Sequence, residues 1–247
     1  MNEQIQKQLS TLVDRLKGAF GRELVAVCVY GGAVCREKPN RISVIILLTS
    51  LTPAILRKAA PIVTDWEAVA GTLPVLFTRE EWLHAADVFA LECADIQQWH
   101  HVAYGEDLFG GLEVAPADLR LLCELELTRK LLLLRQQWMA FQQKPDAQGR
   151  LLTQSADDFI TLFRGVLRLH LPTESVPAER QDILSAMCAQ VTGFSADPFR
   201  KIIATHDPAT LHNSAELWGS YLREVDRVLK HLNQPSLLSS APVARTV

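Results

Sequence analysis

Two short apolar runs constrain this chain more than any other feature. Residues 24–30 (LVAVCVY) and 42–48 (ISVIILL) are continuous, β-branched and too short for buried helices. Each therefore reads as a strand covered on both faces, with Gly31-Gly32 ending the first. Helices to cover them are at hand. Residues 2–17 space Ile5, Leu9, Leu12 and Leu16 along one helical face. Thr52-Pro53 reads as an N-cap and first helical residue of a helix reaching about residue 70, bent or interrupted at Pro61 and stopped at Gly71. Residues 73–77 form a third strand, which Pro74 assigns to a sheet edge. Thr78-Arg79-Glu80-Glu81 fits a capping box. Residues 88–96 alternate, with Phe89, Leu91 and Cys93 on one face and Ala90, Glu92 and Ala94 on the other, and predict a fourth strand.

Past residue 115 the texture changes, and every segment reads as helix. Residues 116–141 are dense in leucine, with Glu126 and Lys130 placed as an i,i+4 pair. Residues 155–170 and 177–191 follow, then a short helix capped at Asp197-Pro198. A last helix, capped from Asn213 to Glu216, carries Leu217, Tyr221, Val225, Val228 and Leu232. The expected fold class is α+β. A mixed sheet with flanking helices occupies residues 1–114, an all-α helical bundle 115–233, and a fraying tail 234–247.

Composition removes several function classes. Twenty-five Lys and Arg against 28 Asp and Glu leave a net charge of −3, without the basic excess of a nucleic-acid binder. Five scattered cysteines (Cys28, Cys35, Cys93, Cys123, Cys188) contain no C-x-x-C pair, so neither a zinc site nor a disulfide framework is expected. The N-terminus lacks an apolar signal core, and no uncharged apolar stretch reaches the ~18 residues of a membrane span. A cytoplasmic protein with no membrane partner is the expectation.

The run ending Tyr30-Gly31-Gly32-Ala33, with an apolar strand ten residues on, resembles the signature of the polymerase-β-like nucleotidyltransferases. The segments LFTREEW, ADVFALECADIQ and YGEDLFGGLEV and the leucine-rich helix after them are similar to one bacterial subgroup, which carries a helical domain behind the catalytic one. The resemblance covers residues 20–140. It implies a nucleotidyltransferase-like N-terminal domain whose glycine pair opens a helix and lets backbone N–H groups approach a triphosphate. In that family two acids sit at alternate positions at the start of the next strand, and a third lies on a later strand. Together they hold the Mg²⁺ ions of an in-line displacement, because only alternate strand residues share a face and Mg²⁺ takes hard oxygen ligands.

This chain keeps the glycines and loses acids. Its segment reads Asn40-Arg41-Ile42-Ser43-Val44, so Arg41 and Ser43 stand at the acidic positions and Glu92 at the third. Between Gly32 and Thr52 the only carboxylate is Glu37. The resemblance thus implies a degenerate member without two-metal catalysis and without a cofactor. Gly31, Gly32 and Arg41 form its candidate phosphate-binding set for a nucleotide or other phosphate, since the Arg fork suits phosphate oxygens. The other reading of Arg41, and the blander one, pairs it with Glu92 or Glu37 as the plug of a dead site. The alternatives are an active Mg²⁺-dependent transferase using Glu92, Glu37 and Asp95, or a structural interaction module.

Other features carry less. His100 and His101 are adjacent and point apart, with no third metal ligand placed by spacing. Arg164 and His170 loosely resemble the Arg-x(4–6)-His pattern of helical HEPN-type ribonucleases, a spacing that chance supplies easily. Cys35 beside Arg36 reads as a loop cysteine, and the tryptophans at 66, 82, 99, 138 and 218 as core or helix anchors. The leucines of 119–134 cover more than one helix stripe, which suits a central helix or a homodimer through the helical domain.

Overall fold

The computed structural model describes residues 3–35, 42–211, 215–234 and 237, with the side chains of residues 33 and 35 left aside. The fold class is α+β. The chain divides into two compact units, Met1–Val114 and Ala115–Val247.

The first unit is built on a four-stranded mixed sheet in the order β3-β2-β1-β4. Strand β1 (Leu24–Tyr30) pairs antiparallel with β2 (Ser43–Leu48) and with β4 (His100–Gly105), while β3 (Val75–Thr78) runs parallel to β2 at the edge. Alternation along the two central strands feeds two separate cores. Val27, Val29, Val44, Ile46 and Leu48 pack with α1 (Glu3–Phe20) and α3 (Pro53–Ala70). Ala26, Cys28, Ile45 and Leu47 pack on the other face with Trp82, Cys93, Ile96 and Phe109. Burial on both faces is why these strands read as continuous apolar runs.

Helix α3 follows its sequence signals closely. The Thr52 hydroxyl accepts the Ile55 N–H, Pro53 opens the helix, and Gly71 closes it in the left-handed region at φ 70°. The helix continues through Pro61 rather than breaking there. Thr78 and Glu81 form the expected capping box of α4 (Arg79–Leu83).

The fourth strand is not where alternation put it. Residues 90–98 form helix α5 (Ala90–Gln98), so Glu92 lies on a helix. Ala90, Cys93 and Ala94 are its buried side chains with Ile96, and that i, i+3, i+4 spacing was concealed inside a run that also alternates. The strand begins twelve residues later than expected, as β4. Its sequence, HHVAYG, has no apolar run because an edge strand is only partly covered. Gly105 closes β4 at φ 84°, where a Cβ would run into the Val25–Ala26 backbone. A side chain there would push β4 off β1.

The second unit contains, among the described residues, five α-helices: α6 (Pro116–Ala140), α7 (Pro145–Leu167), α8 (Arg180–Gln190), α9 (Asp197–Ile203) and α10 (Ala215–Leu232). Helix α7 starts ten residues before the expected position, with Pro145 in its first turn, and is the central element. It packs on α6, α8, α9 and the turn at 208–211. Around it, Phe159, Phe163, Phe199 and Tyr221 form a run of edge-on and tilted ring contacts, and the buried Tyr221 hydroxyl donates to Ser155 Oγ at 2.9 Å. The expected Glu126–Lys130 pair is not formed. Arg129 donates to Glu126 at 3.0 Å, and Lys130 reaches across to Asp158 at 2.8 Å. The Asn213 cap and most of the tail lie outside the described residues.

Candidate functional site

The Gly31-Gly32 pair sits where β1 gives way to the one-turn helix α2 (Gly32–Cys35). Gly31 has φ 68°, and a Cβ there would meet nothing within 4 Å. Backbone conformation alone therefore selects glycine. Its N–H donates to the Trp99 carbonyl at 2.8 Å, and its own carbonyl accepts from the Val34 N–H at 2.9 Å. These bonds tie the end of β1 to the end of α5 and the start of the short helix.

Arg41 and Glu37, central to the sequence reading, lie outside the described residues. Ser43, the other position of interest on β2, is directly opposite Tyr30 in the β1–β2 register. The Tyr30 phenol is hydrogen-bonded to Ser43 and lies near the carboxylates of Glu92 and Asp95. Its pKa is raised above the ordinary tyrosine value, by burial first, then by Glu92, with Asp95 adding to it. Sequence reasoning missed Tyr30. The signal available was its position, the last residue of a buried strand and directly before the glycine pair.

The change from strand to helix alters what Glu92 can do. On α5, Glu92 and Asp95 are three residues apart, which sets them on one side of the helix, and both raise the Tyr30 pKa electrostatically. The site therefore draws carboxylates from a helix lying on the sheet, with a hydroxyl where β2 meets it. Among the described residues no group of three His, Cys, Asp or Glu side chains is placed to hold a metal ion.

His100 and His101 do not act together. His100 Nδ1 donates to the Ile96 carbonyl at 2.8 Å, and its Nε2 faces Asp107 at 3.2 Å. Asp107 also accepts the Phe109 and Gly110 N–H groups, which, with His100, hold its carboxyl below the ordinary value. This network closes the loop after β4. Cys28 and Cys93 are no nucleophiles, because burial pushes both thiols up to about 12. In the helical unit Arg164 is buried on α7, while His170 meets His231, with their Nε2 atoms 2.9 Å apart. No helix among the described residues is long and apolar enough to cross a membrane.

No protein-family model matches the chain, and no curated protein matches it by sequence. Among solved structures it is similar to spectinomycin adenyltransferase from Enterococcus faecialis, crystallised with ATP and spectinomycin. That likeness has a TM-score of 0.48 at 13% identity, covering 92% of this chain and 99% of the other.

Proposed function

We propose that this chain is a nucleotidyltransferase-like protein that has given up two-metal catalysis and acts by binding a nucleotide or another phosphate compound. The observation that carries the reading is Ser43. It stands opposite Tyr30 at the mouth of the β1–β2 pair, so β2 brings a hydroxyl to the point where catalysis of this type calls for a carboxylate. The remaining acids, Glu92 and Asp95, come from one helix and repel an incoming phosphate unless a cation intervenes. In this reading Arg41, two residues before Ser43, is that cation, and Gly31, where a Cβ would meet nothing within 4 Å, leaves space for the ligand's approach.

Calorimetric titration with ATP, in magnesium and in EDTA, tests the proposal. ATP is expected to bind without metal, and Arg41→Ala to abolish binding while thermal stability holds. Absence of binding, or binding unchanged in Arg41→Ala, refutes it. Magnesium-dependent transfer of AMP from labelled ATP, lost in Glu92→Gln and Asp95→Asn, would establish the active-transferase alternative instead.

A further inference from the structure

Where α9 meets α10, the helical unit forms a cavity of about 320 Å³. Its wall is apolar at Pro198 and Leu217, carries hydroxyls at Ser195 and Ser220, and is charged at Lys201 and Glu224. A small polar ligand needs that mixture, an enclosed space with a few convergent polar groups.

Glu224 is the unusual member. It is 7% exposed, and a carboxylate so far removed from water ordinarily has both oxygens hydrogen-bonded. Here the two bonds fall on one oxygen. Oε2 accepts the Ser195 N–H at 3.0 Å and the Arg227 Nε–H at 3.1 Å. Among the described residues nothing donates to Oε1, and that oxygen is not sealed from solvent. Since Glu224 lines the cavity, Oε1 faces into it.

Lys201 is the second. Asp197 precedes it by four positions on α9, a spacing that favours an ion pair, yet Asp197 faces Arg200 at 4.0 Å instead. No described acid pairs with the Lys201 ammonium. The hydroxyls complement these two charges. Ser195 Oγ accepts the Asp197 N–H at 3.3 Å, which leaves its own hydrogen for a ligand oxygen. Ser220 donates to the Leu217 carbonyl at 2.9 Å, which leaves its oxygen to accept.

We infer that this cavity binds the zwitterion of a free amino acid. Its ammonium goes to Glu224 Oε1 and Ser220 Oγ, and its carboxylate goes to Lys201 and Ser195. Both charges of the ligand are needed. Asp197 and Glu216, exposed carboxylates at the rim, repel a ligand that is only anionic, and the unpaired Lys201 repels one that is only cationic. The site lies wholly within the helical unit and is independent of phosphate binding in the sheet unit.

Thermal-shift measurements on the full-length chain with each of the common L-amino acids, followed by calorimetric titration, test the inference. At least one amino acid is expected to raise the melting temperature and to bind with a Kd below about 1 mM. Its N-acetyl derivative, and the amine that lacks its carboxylate, are each expected to bind roughly 10-fold or more weakly. Lys201→Met, a change at an exposed position, is expected to erase the preference for the amino acid over the amine, with helicity by circular dichroism unchanged. Glu224→Gln keeps an oxygen for the Ser195 N–H and is expected to abolish binding of both. No saturable binding by any amino acid overturns the site, as does binding that neither variant changes. An amine that binds the parent chain as tightly as its amino acid overturns the zwitterion assignment.

Discussion

The two units treat their polar groups differently, and tryptophan shows it most clearly. Trp82 in the sheet unit and Trp218 in the helical unit are buried to the same degree, at 1% and 2% exposure. The Trp82 indole donates to the Leu108 carbonyl at 2.9 Å, whereas the Trp218 N–H has no partner. Helix caps repeat the contrast. Thr52 and Thr78 cap α3 and α4 through side chains, while α6, α7, α8 and α9 have no side-chain cap. Histidine repeats it again, since His100 faces a carboxylate and His231 faces only another histidine. Trp66, whose N–H also lacks a partner, and α5, which has no side-chain cap, are exceptions in the sheet unit. The lesson is confined to buried rings and helix ends, because both units also join their elements through polar pairs, Arg15–Asp65 in the sheet unit and Lys130–Asp158 in the helical unit.

That contrast makes graded predictions. Trp82→Phe and Trp218→Phe remove similar volume, yet only the first leaves a carbonyl without its donor. Trp82→Phe is expected to cost about 1–3 kcal/mol more in urea unfolding. Equal costs would break the comparison. Thr78→Ala removes the hydroxyl that accepts the Glu81 N–H, while the residue-78 N–H can still donate to the Glu81 carboxylate, and should cost about 1 kcal/mol by the same measurement. The reverse experiment is Ala115→Ser, since Ala115 already has the extended backbone of an N-cap at the start of α6. It should raise the melting temperature through a gain of about 0.5–1 kcal/mol. No gain would mean that helix end is satisfied in another way.

The smallest effect is one of pH. The Nε2 atoms of His231 and His170 share one hydrogen bond, and His231 Nδ1 is buried without a partner. Charging the pair adds a proton to rings that burial keeps neutral. Burial lowers both pKa values below the usual 6.5, and His170 lowers His231 further. The unfolded chain then takes up protons first. Stability from the pair is complete above about pH 6.5 and is lost as pH falls below it. The sheet unit's counterpart is Asp107, whose lowered pKa gives stability that persists to more acid pH and disappears as the pH falls through that lowered value. Melting temperatures between pH 5 and 8 should fall with acid in the parent chain and flatten in His231→Phe. A flat parent profile would contradict the assignment.

Much of the architecture was legible in the sequence, for reasons these contrasts make clear. Strands β1 and β2 are buried on both faces, and helices α1, α3 and α4 carry stripes, caps or stops, so local chemistry and tertiary environment agree. The reading failed at residues 88–98, where Ala90, Cys93 and Ala94 satisfy helical spacing within a segment that also alternates. Small residues fit either element, and the sheet face waiting to be covered decided for the helix. Strand β4 was missed because partial burial leaves no apolar run, and the Lys130–Asp158 pair because it depends on two helices meeting. At the candidate site, the sequence showed that β2 carries no acid. It did not show that Glu92 and Asp95 act on Tyr30, since that follows from residues 90–98 forming a helix.

The central claim is that phosphate binding here has outlived metal catalysis, and the ratio of ATP affinities in EDTA and in magnesium tests it most directly. The account predicts a ratio near one, with binding lost in both conditions for Arg41→Ala. Affinity seen only in magnesium, and lost on Glu92→Gln, would contradict it.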